Sequence, residues 1–513
     1  MKKMKRTSSK RGWGLRGKLV LLLLLVGIIP FLANTIIDQL ESADALTDRA
    51  VAQLESIREI KKQQLSGYLK ERNGDMQVLG NLVGSLRAEA LRKLSAIETT
   101  KVQALQRYFG KRMADAEMLA TSLSTINALQ ELTEAIREEG GKVGGSLWNG
   151  YKDKYGTWYK NFVEKHGYYD LFLISNEGDI VYTVAGESDL GQNLVSGNLR
   201  DSGLGKLFSK IIKKEQTIIE DYAPYAPSNN QQAAFIGGPV RDDSGKVIGV
   251  AAMQLSADEI NSIVNQREGM TSTFESYMVG DADNPKLHSD RVIKEGRIGD
   301  LHDTPDTRLA LAGKSGSLHK TGTTGEWELS VYSPIDLPGL NWGLITNGAL
   351  AEVIVPKEKG QSEDLMQRYQ RSYGYYDIFL VDPTGYVFYT VEQESDYHTN
   401  MLTGKYSSSN LGRLIQQVVN TKKGGMSDYE RYAPSNNEPA AFFAAPVIDA
   451  TGELVMVVAT QLADTDIQEV LNETTGLGNT GETFLVGNSN NRSGNRTTNK
   501  PSYYSNKGDK KYT

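Results

Sequence analysis

Little in this chain is equipped for catalysis. It has no cysteines, and its five histidines (His166, His288, His302, His319 and His398) are scattered, none at ligand spacing from another. Asp281-Ala282-Asp283-Asn284-Pro285 opens like a cation loop. Its twelfth position is Val292 where an acid is needed, so it reads as a turn. No nucleophile elbow, phosphate loop or zinc-protease pattern occurs. No enzyme activity, metal or cofactor is expected, and recognition remains. Five aromatics, Trp148, Tyr151, Tyr155, Trp158 and Tyr159, stand just before a run containing Tyr168, Asp170, Asp189, Asp221 and Tyr222. A small-ligand pocket needs a few polar groups converging on an apolar wall, and rings with carboxylates are of the right kind. The plainer role is core for the aromatics and a strand start for Tyr168 and Asp170.

The elements that would position these residues occur twice. GYYDLFLISNEGDIVYTV at Gly167 returns as GYYDIFLVDPTGYVFYTV at Gly374. A shift of 207 positions aligns Gly167–Gly280 with Gly374–Gly487 without a gap, and about 45 of 114 pairs are identical. Such self-similarity marks a duplicated folding unit. Within the first copy, strands are expected at 168–174, 180–184, 231–240, 247–255 and from 273, with helices at 204–214 and 258–266. Further strands are expected at 327–332 and 342–346. Helices followed by antiparallel sheet give the class α+β.

Length and address come from the remainder. At 513 residues, three to five domains are expected, and a net charge of −6 gives no reason to expect nucleic acid. Residues 1–18 hold eight Lys or Arg and no acid, and form the expected cytoplasmic N-terminus. Leu19–Ile37 is apolar for about 28 Å of helix, enough to cross a bilayer once and send the bulk of the chain outside. Residues 38–146 read as a helical stalk. In it Ile57, Lys61, Leu65, Tyr68, Asp75 and Leu79 recur forty positions later as Ile97, Lys101, Leu105, Tyr108, Asp115 and Leu119. Two long amphipathic helices packed together, or against a second copy, are expected, with Gly80 and Gly84 as weak points and Gly140-Gly141 as the end.

YYDLFLISNEGDIVYTV, the ESD of Glu187–Asp189, SGLG at Ser202–Gly205 and DYAPYAPS at Asp221–Ser228 resemble a Cache sensor domain. So do PVRDDSGKVIGVAAMQL at Pro239–Leu255 and YSPIDLPGLNWGLI at Tyr332–Ile345. The resemblance is to the double-Cache form found outside the membrane in bacterial methyl-accepting chemotaxis receptors, over roughly residues 50–487. It implies a transmembrane helix and stalk carrying PAS-like lobes. These would be a membrane-distal ligand-binding lobe at 147–267, a proximal lobe at 268–356 and a second distal-type lobe at 357–487. Amino-acid-binding members carry a tyrosine, an arginine, then Trp-Tyr, and later Tyr-x-Asp. Trp158-Tyr159 and Tyr168-x-Asp170 match, and Tyr151 stands at the right distance. Gly156 occupies the arginine position, and Lys154 and Lys160 nearby lack the planar fork. Amines and organic acids therefore stay open beside amino acids. The resemblance carries Tyr151, Trp158, Tyr159, Tyr168 and Asp170 over as ligand contacts, and Asp189 and Asp221 join them for their carboxylates. Before the second copy stand Tyr369 and Tyr373 but no tryptophan, so the Trp-Tyr element is not kept there.

After Gly487 the pattern breaks. Residues 488–513 hold six Lys or Arg, one Asp and almost no aliphatic residue, a composition expected to be disordered. The strand begun at Glu482 is expected to lack the partner module that follows the first copy. The family's second span, linker module and cytoplasmic coiled coil are missing, so the chain reads as a fragment or frameshifted product. The function expected is small-molecule sensing by a chemotaxis-type receptor in the inner membrane, dimeric through its stalk. The alternatives are the input half of a histidine kinase or cyclase, and a tethered solute-binding surface protein.

Overall fold

The computed structural model describes residue 12 and residues 14–322, 325–357, 360–478, 480–487 and 502–505. Most of the basic N-terminus and of the expected tail lies outside the described residues. One helix, Leu15–Thr121, organises everything else. Every residue from 19 to 37 is exposed along it. Among the described residues it is the one helix long and apolar enough to cross a membrane. A single π turn at Leu24–Ile28 precedes Pro30, whose ring and missing N–H disturb the regular ladder just upstream.

The stalk is not the expected pair of packed helices. The helix passes Gly80 and Gly84 without interruption and breaks at Ser122, whose hydroxyl accepts from Thr125 N at 3.1 Å to cap Leu123–Glu138. A helical glycine costs about 1 kcal/mol against alanine, but here it admits a neighbour. A Cβ on Gly80 would meet Ala445 Cβ at 3.8 Å, and one on Gly84 would meet Val447 Cγ1 at 3.2 Å. The glycines let a sheet approach the stalk.

Three sheets line up along it, each five-stranded and antiparallel. The first, after the helix Ser146–His166, comprises β1 (Tyr168–Ser175), β2 (Ile180–Thr183), β3 (Ile218–Tyr225), β4 (Gln231–Arg241) and β5 (Val247–Leu255), in the order β2-β1-β5-β4-β3. The second comprises β6 (Glu275–Gly280), β7 (Lys286–Leu287), β8 (Gly316–Thr321), β9 (Trp327–Leu337) and β10 (Leu340–Ala349), ordered β7-β6-β10-β9-β8. The third has β11 (Tyr375–Val381), β12 (Val387–Thr390) and β13 (Gly425–Met426). A small hairpin of β14 (Glu430–Tyr432) and β15 (Glu438–Ala440) follows, before β16 (Phe442–Ile448) and β17 (Leu454–Leu462) complete the order β12-β11-β17-β16-β13. All three sheets thus share one topology. We call these lobes 1, 2 and 3. Finally β18 (Phe484–Gly487) pairs antiparallel with β19 (Ser502–Ser505), a strand supplied by the segment expected to be disordered.

Each sheet buries one face on the stalk. In lobe 1 Leu171, Leu173, Ile236 and Met253 pack with Leu105, Phe109, Ala116 and Leu119 of the helix. In lobe 3 Ile378, Leu380, Phe443 and Val458 pack with Met76, Leu79 and Val83. The forty-residue periodicity of the stalk is explained here. Lys101 Nζ donates to the carbonyls of Val264 (2.5 Å) and Gln266 (2.6 Å), while Lys61 Nζ donates to Leu471 (3.1 Å) and Glu473 (2.6 Å). Arg112 donates to the carbonyl of His166 and Arg72 to that of Tyr373, both at 2.5 Å. The Tyr168 hydroxyl donates to Asp115 (2.9 Å) and that of Tyr375 to Asp75 (3.4 Å). Stalk partners differ by 40 positions and lobe partners by 207. The helix therefore carries two copies of one docking strip about 60 Å apart, one for each duplicated lobe.

Candidate functional site

The seven candidate ligand contacts fall in three separate places. Four lie on the stalk side of the lobe 1 sheet. Tyr159 is fully buried and packs 5.2 Å from the Tyr182 ring. Tyr168 is spent on the stalk: its hydroxyl binds Asp115 and the Arg112 guanidinium lies 4.6 Å over its ring. Tyr151 is half-buried at the edge of this core, with Lys154 over its ring. Trp158 is 43% exposed, stacked on Phe162 at the surface rather than facing a chamber. These positions make Tyr151, Tyr159 and Tyr168 a docking and core layer, with Trp158 outside it at the surface.

Asp221 lies at the joint between lobes 1 and 2. Its Oδ1 takes the ring nitrogen of His288 at 2.6 Å and the indole N–H of Trp342 at 3.0 Å, and the backbone N–H of Tyr222 adds 2.7 Å. Burial alone would raise this carboxyl. The His288 contact and the surrounding hydrogen bonds instead hold it below the ordinary carboxylate range. A cleft of about 230 Å³ runs beside it, lined by Lys206, Gln232, Lys286 and Gly299 among others.

Asp170 and Asp189 are brought together on the face turned away from the stalk. The same face carries the apolar Phe172, Ile174, Phe235 and Val250, covered by Phe208 of the helix Gly203–Lys214. Asp170 Oδ1 accepts from the N–H groups of Leu171 (2.7 Å), Val184 (2.9 Å) and Ala185 (2.9 Å), and Oδ2 from the Thr183 hydroxyl (2.5 Å). Burial still pushes its carboxyl up to about 6, with Asp189 adding to the rise. Asp189 is fully buried and its Oδ2 accepts from Tyr225 at 2.9 Å. Its Oδ1 is buried with no hydrogen-bond partner, and so is Gln254 Oε1. Burial and the neighbouring Glu187 both raise Asp189. Glu187 is itself held by Tyr169 and Ser228, each at 2.8 Å. Among the described residues no lysine or arginine pairs with any of these three carboxylates.

Lobe 3 repeats this network. Asp396 accepts from Tyr432 at 2.6 Å and leaves Oδ1 buried and unpartnered. Glu394 accepts from Tyr376 (2.8 Å) and Ser435 (2.7 Å). Asp377 takes the N–H groups of Ile378, Val391 and Glu392 and the Thr390 hydroxyl, and burial pushes it up to about 7. Sequence reasoning missed Glu187, Tyr225, Ser228 and Gln254 as functional groups. The signal was available: all four are kept in the second copy, three of them in the duplicated ESD and YAPSNN runs.

No protein-family model and no curated protein matches the chain. Several solved structures do. They are chemoreceptor ligand-binding domains. The Campylobacter jejuni Tlp3 domain in complex with 4-methylisoleucine is 11% identical, covering 54% of this chain and 97% of that one, with a TM-score of 0.38. The Pseudomonas aeruginosa PctB domain in complex with L-Gln is 14% identical, covering 52% and 93%, with a TM-score of 0.35. The Pseudomonas fluorescens CtaA domain in complex with L-leucine is 11% identical, covering 52% and 98%, with a TM-score of 0.34.

Proposed function

We propose that this chain is the extracytoplasmic sensory region of a membrane-anchored chemotaxis-type receptor, and that lobe 1 senses a small molecule through a cationic group. Residues 19–37 would anchor it in the inner membrane, and the exposed apolar residues Leu40, Val51 and Leu54 suit a second copy of the stalk. The observation that carries the ligand reading is the bare Oδ1 of Asp189. A buried carboxylate oxygen without a donor costs free energy. Here it sits among two further carboxylates with no side-chain cation to balance them. An ammonium group would supply both the missing donor and the missing charge. The Trp-Tyr element does not support this reading, because its rings face the stalk or solvent.

Binding that draws β1 and β2 toward the ligand would act on Tyr168, two residues from Asp170, and so on the Arg112–Asp115 strip of the stalk. Lobe and helix would then exchange a packing bias between two states. The test is hydrogen exchange on the full chain in lipid nanodiscs with methylamine, ethanolamine, acetate and succinate. Protection of residues 168–190 by the amines and not the acids, lost in Asp189→Asn, is the expected result. Protection by the acids, or amine protection unchanged in Asp189→Asn, would overturn the reading.

A further inference from the structure

The three lobes share one sheet order, which makes lobes 1 and 3 internal controls for lobe 2. On the face turned from the stalk, lobe 1 carries Phe172 and Phe235, and lobe 3 carries Phe379 and Phe442. Buried carboxylates stand there too, Asp170 and Asp189 in lobe 1 and Asp377 and Asp396 in lobe 3, but among the described residues no lysine or arginine pairs with them. Lobe 2 differs in placing whole ion pairs on the same face. Glu275 and Tyr277 on β6, Asn347 on β10, Glu328 on β9 and Lys320 on β8 all point to that side, and all are at least nine-tenths buried. The loop after β7 and the short helix Pro305–Leu311 close over them.

Three ion pairs fill the space. Arg291 pairs with Glu275 at 2.5 Å, Lys320 with Asp306 at 2.5 Å, and Lys294 with Glu328. The Tyr277 hydroxyl stands between them, in reach of His302 Nε2 (3.1 Å), Asn347 Nδ2 (3.3 Å) and Lys320 Nζ (3.4 Å). Ion pairs at this depth add little stability over apolar side chains of the same volume. Two of the carboxylates are committed to the protein. Glu275 also takes the N–H groups of Val292 and Ile293, and Asp306 takes the hydroxyls of Thr304 and Ser330. The Lys294–Glu328 pair, beside Asn347, is the least committed. Asn347 spends its amide N–H groups on Tyr277 and Glu328 and leaves Oδ1 with no donor, although the residue is 2% exposed.

We propose that lobe 2 holds a second ligand site, distinct from the one in lobe 1, and that it takes a small zwitterion bearing an ammonium and a carboxylate. The three cations and three carboxylates balance, so a ligand of net charge would join this buried cluster uncompensated. A zwitterion enters neutral. Its carboxylate would take Lys294, and its ammonium would take Glu328 and the bare oxygen of Asn347, exchanging one ion pair for two.

The experiment is site-resolved hydrogen exchange on the full chain in nanodiscs, with the common L-amino acids and γ-aminobutyrate as probes and methylamine and acetate as the two half-molecules. At least one zwitterion should protect residues 275–280 and 342–347 by tenfold or more, with neither half-molecule doing so. Asn347→Leu and Lys294→Met should each abolish that protection, while Asp189→Asn should leave it intact. Circular dichroism and exchange in lobes 1 and 3 report whether the variants fold. Loss of protection in Asp189→Asn would place the site in lobe 1. Protection by acetate or methylamine alone would show that a single charge suffices. No protection by any zwitterion, or protection untouched in both folded lobe 2 variants, would refute a site here.

Discussion

Two lysines forty residues apart on the same helix should control two different lobes. Lys101 is 5% exposed, and its ammonium serves the carbonyls of Val264 and Gln266 and the Ser276 hydroxyl at 3.0 Å. Those carbonyls end the helix Ala257–Val264, so the charge also meets the negative end of its dipole. Lys61, 4% exposed, does the same for Val470, Leu471 and Glu473 at the end of Asp464–Asn472. Methionine keeps the stem and removes the charge. Three acceptors lose their donor at once, and breaking such a buried charged contact costs roughly 3–5 kcal/mol. At one decade per about 1.4 kcal/mol, protection should fall by roughly two to three and a half decades. In Lys101→Met the loss should appear in residues 257–266, with 464–473 unchanged. In Lys61→Met the pattern should reverse. Hydrogen exchange with peptide resolution reads both in one run. If each variant softened both lobes equally, or if neither moved its own helix, the matched docking strips would have no energetic meaning.

Asp221→Ala should loosen the joint between lobes 1 and 2, because it leaves the buried His288 and Trp342 donors without an acceptor. A cost of about 2–4 kcal/mol follows, read as a red shift of tryptophan emission that Asp221→Asn shows only in part; an unchanged spectrum would count against the joint. Protection of the β1–β2 and β11–β12 strands should also depend on pH. Asp170 and Asp377 titrate near 6 and near 7 in the fold against about 4 unfolded, so the native state holds the extra proton between those values. Stability contributed there is highest below about pH 4 and falls as pH rises, by roughly 3 kcal/mol for the first lobe by pH 6 and 4 kcal/mol for the third by pH 7. Protection that instead increased over that range would show that both carboxylates are stabilised in their charged form.

Strands β1, β2, β4 and β5 were legible because alternation is bounded by turn residues, as at Asn176-Glu177-Gly178 and Asp242-Asp243-Ser244-Gly245. Strand β3 was not. Pro224 and Asp221 interrupt its pattern, which an edge strand tolerates because one side makes no ladder bonds. Strand β8 carries His319 and Lys320 and no apolar alternation, since its inner face holds an ion pair instead of a hydrophobe. The stalk repeat was visible but assigned to helix–helix packing. Sequence spacing tells which residues share a helix face and not what covers that face. The same limit scattered the candidate site. Adjacent strand residues such as Asp170 and Leu171 point to opposite faces, so proximity in sequence joined groups that the sheet separates. Asp221 finds His288 sixty-seven positions later, a pairing only the stacking of lobes creates.

The continuous stalk also sets a height. Eighty-four residues separate Ile37 from Thr121 in one helix, a rise of about 126 Å. With the apolar segment in a bilayer, lobe 3 hangs from a point only about 36 Å along that rise, at Lys61. Lobe 1 is held at the far end, well clear of the lipid headgroups and of their surface charge.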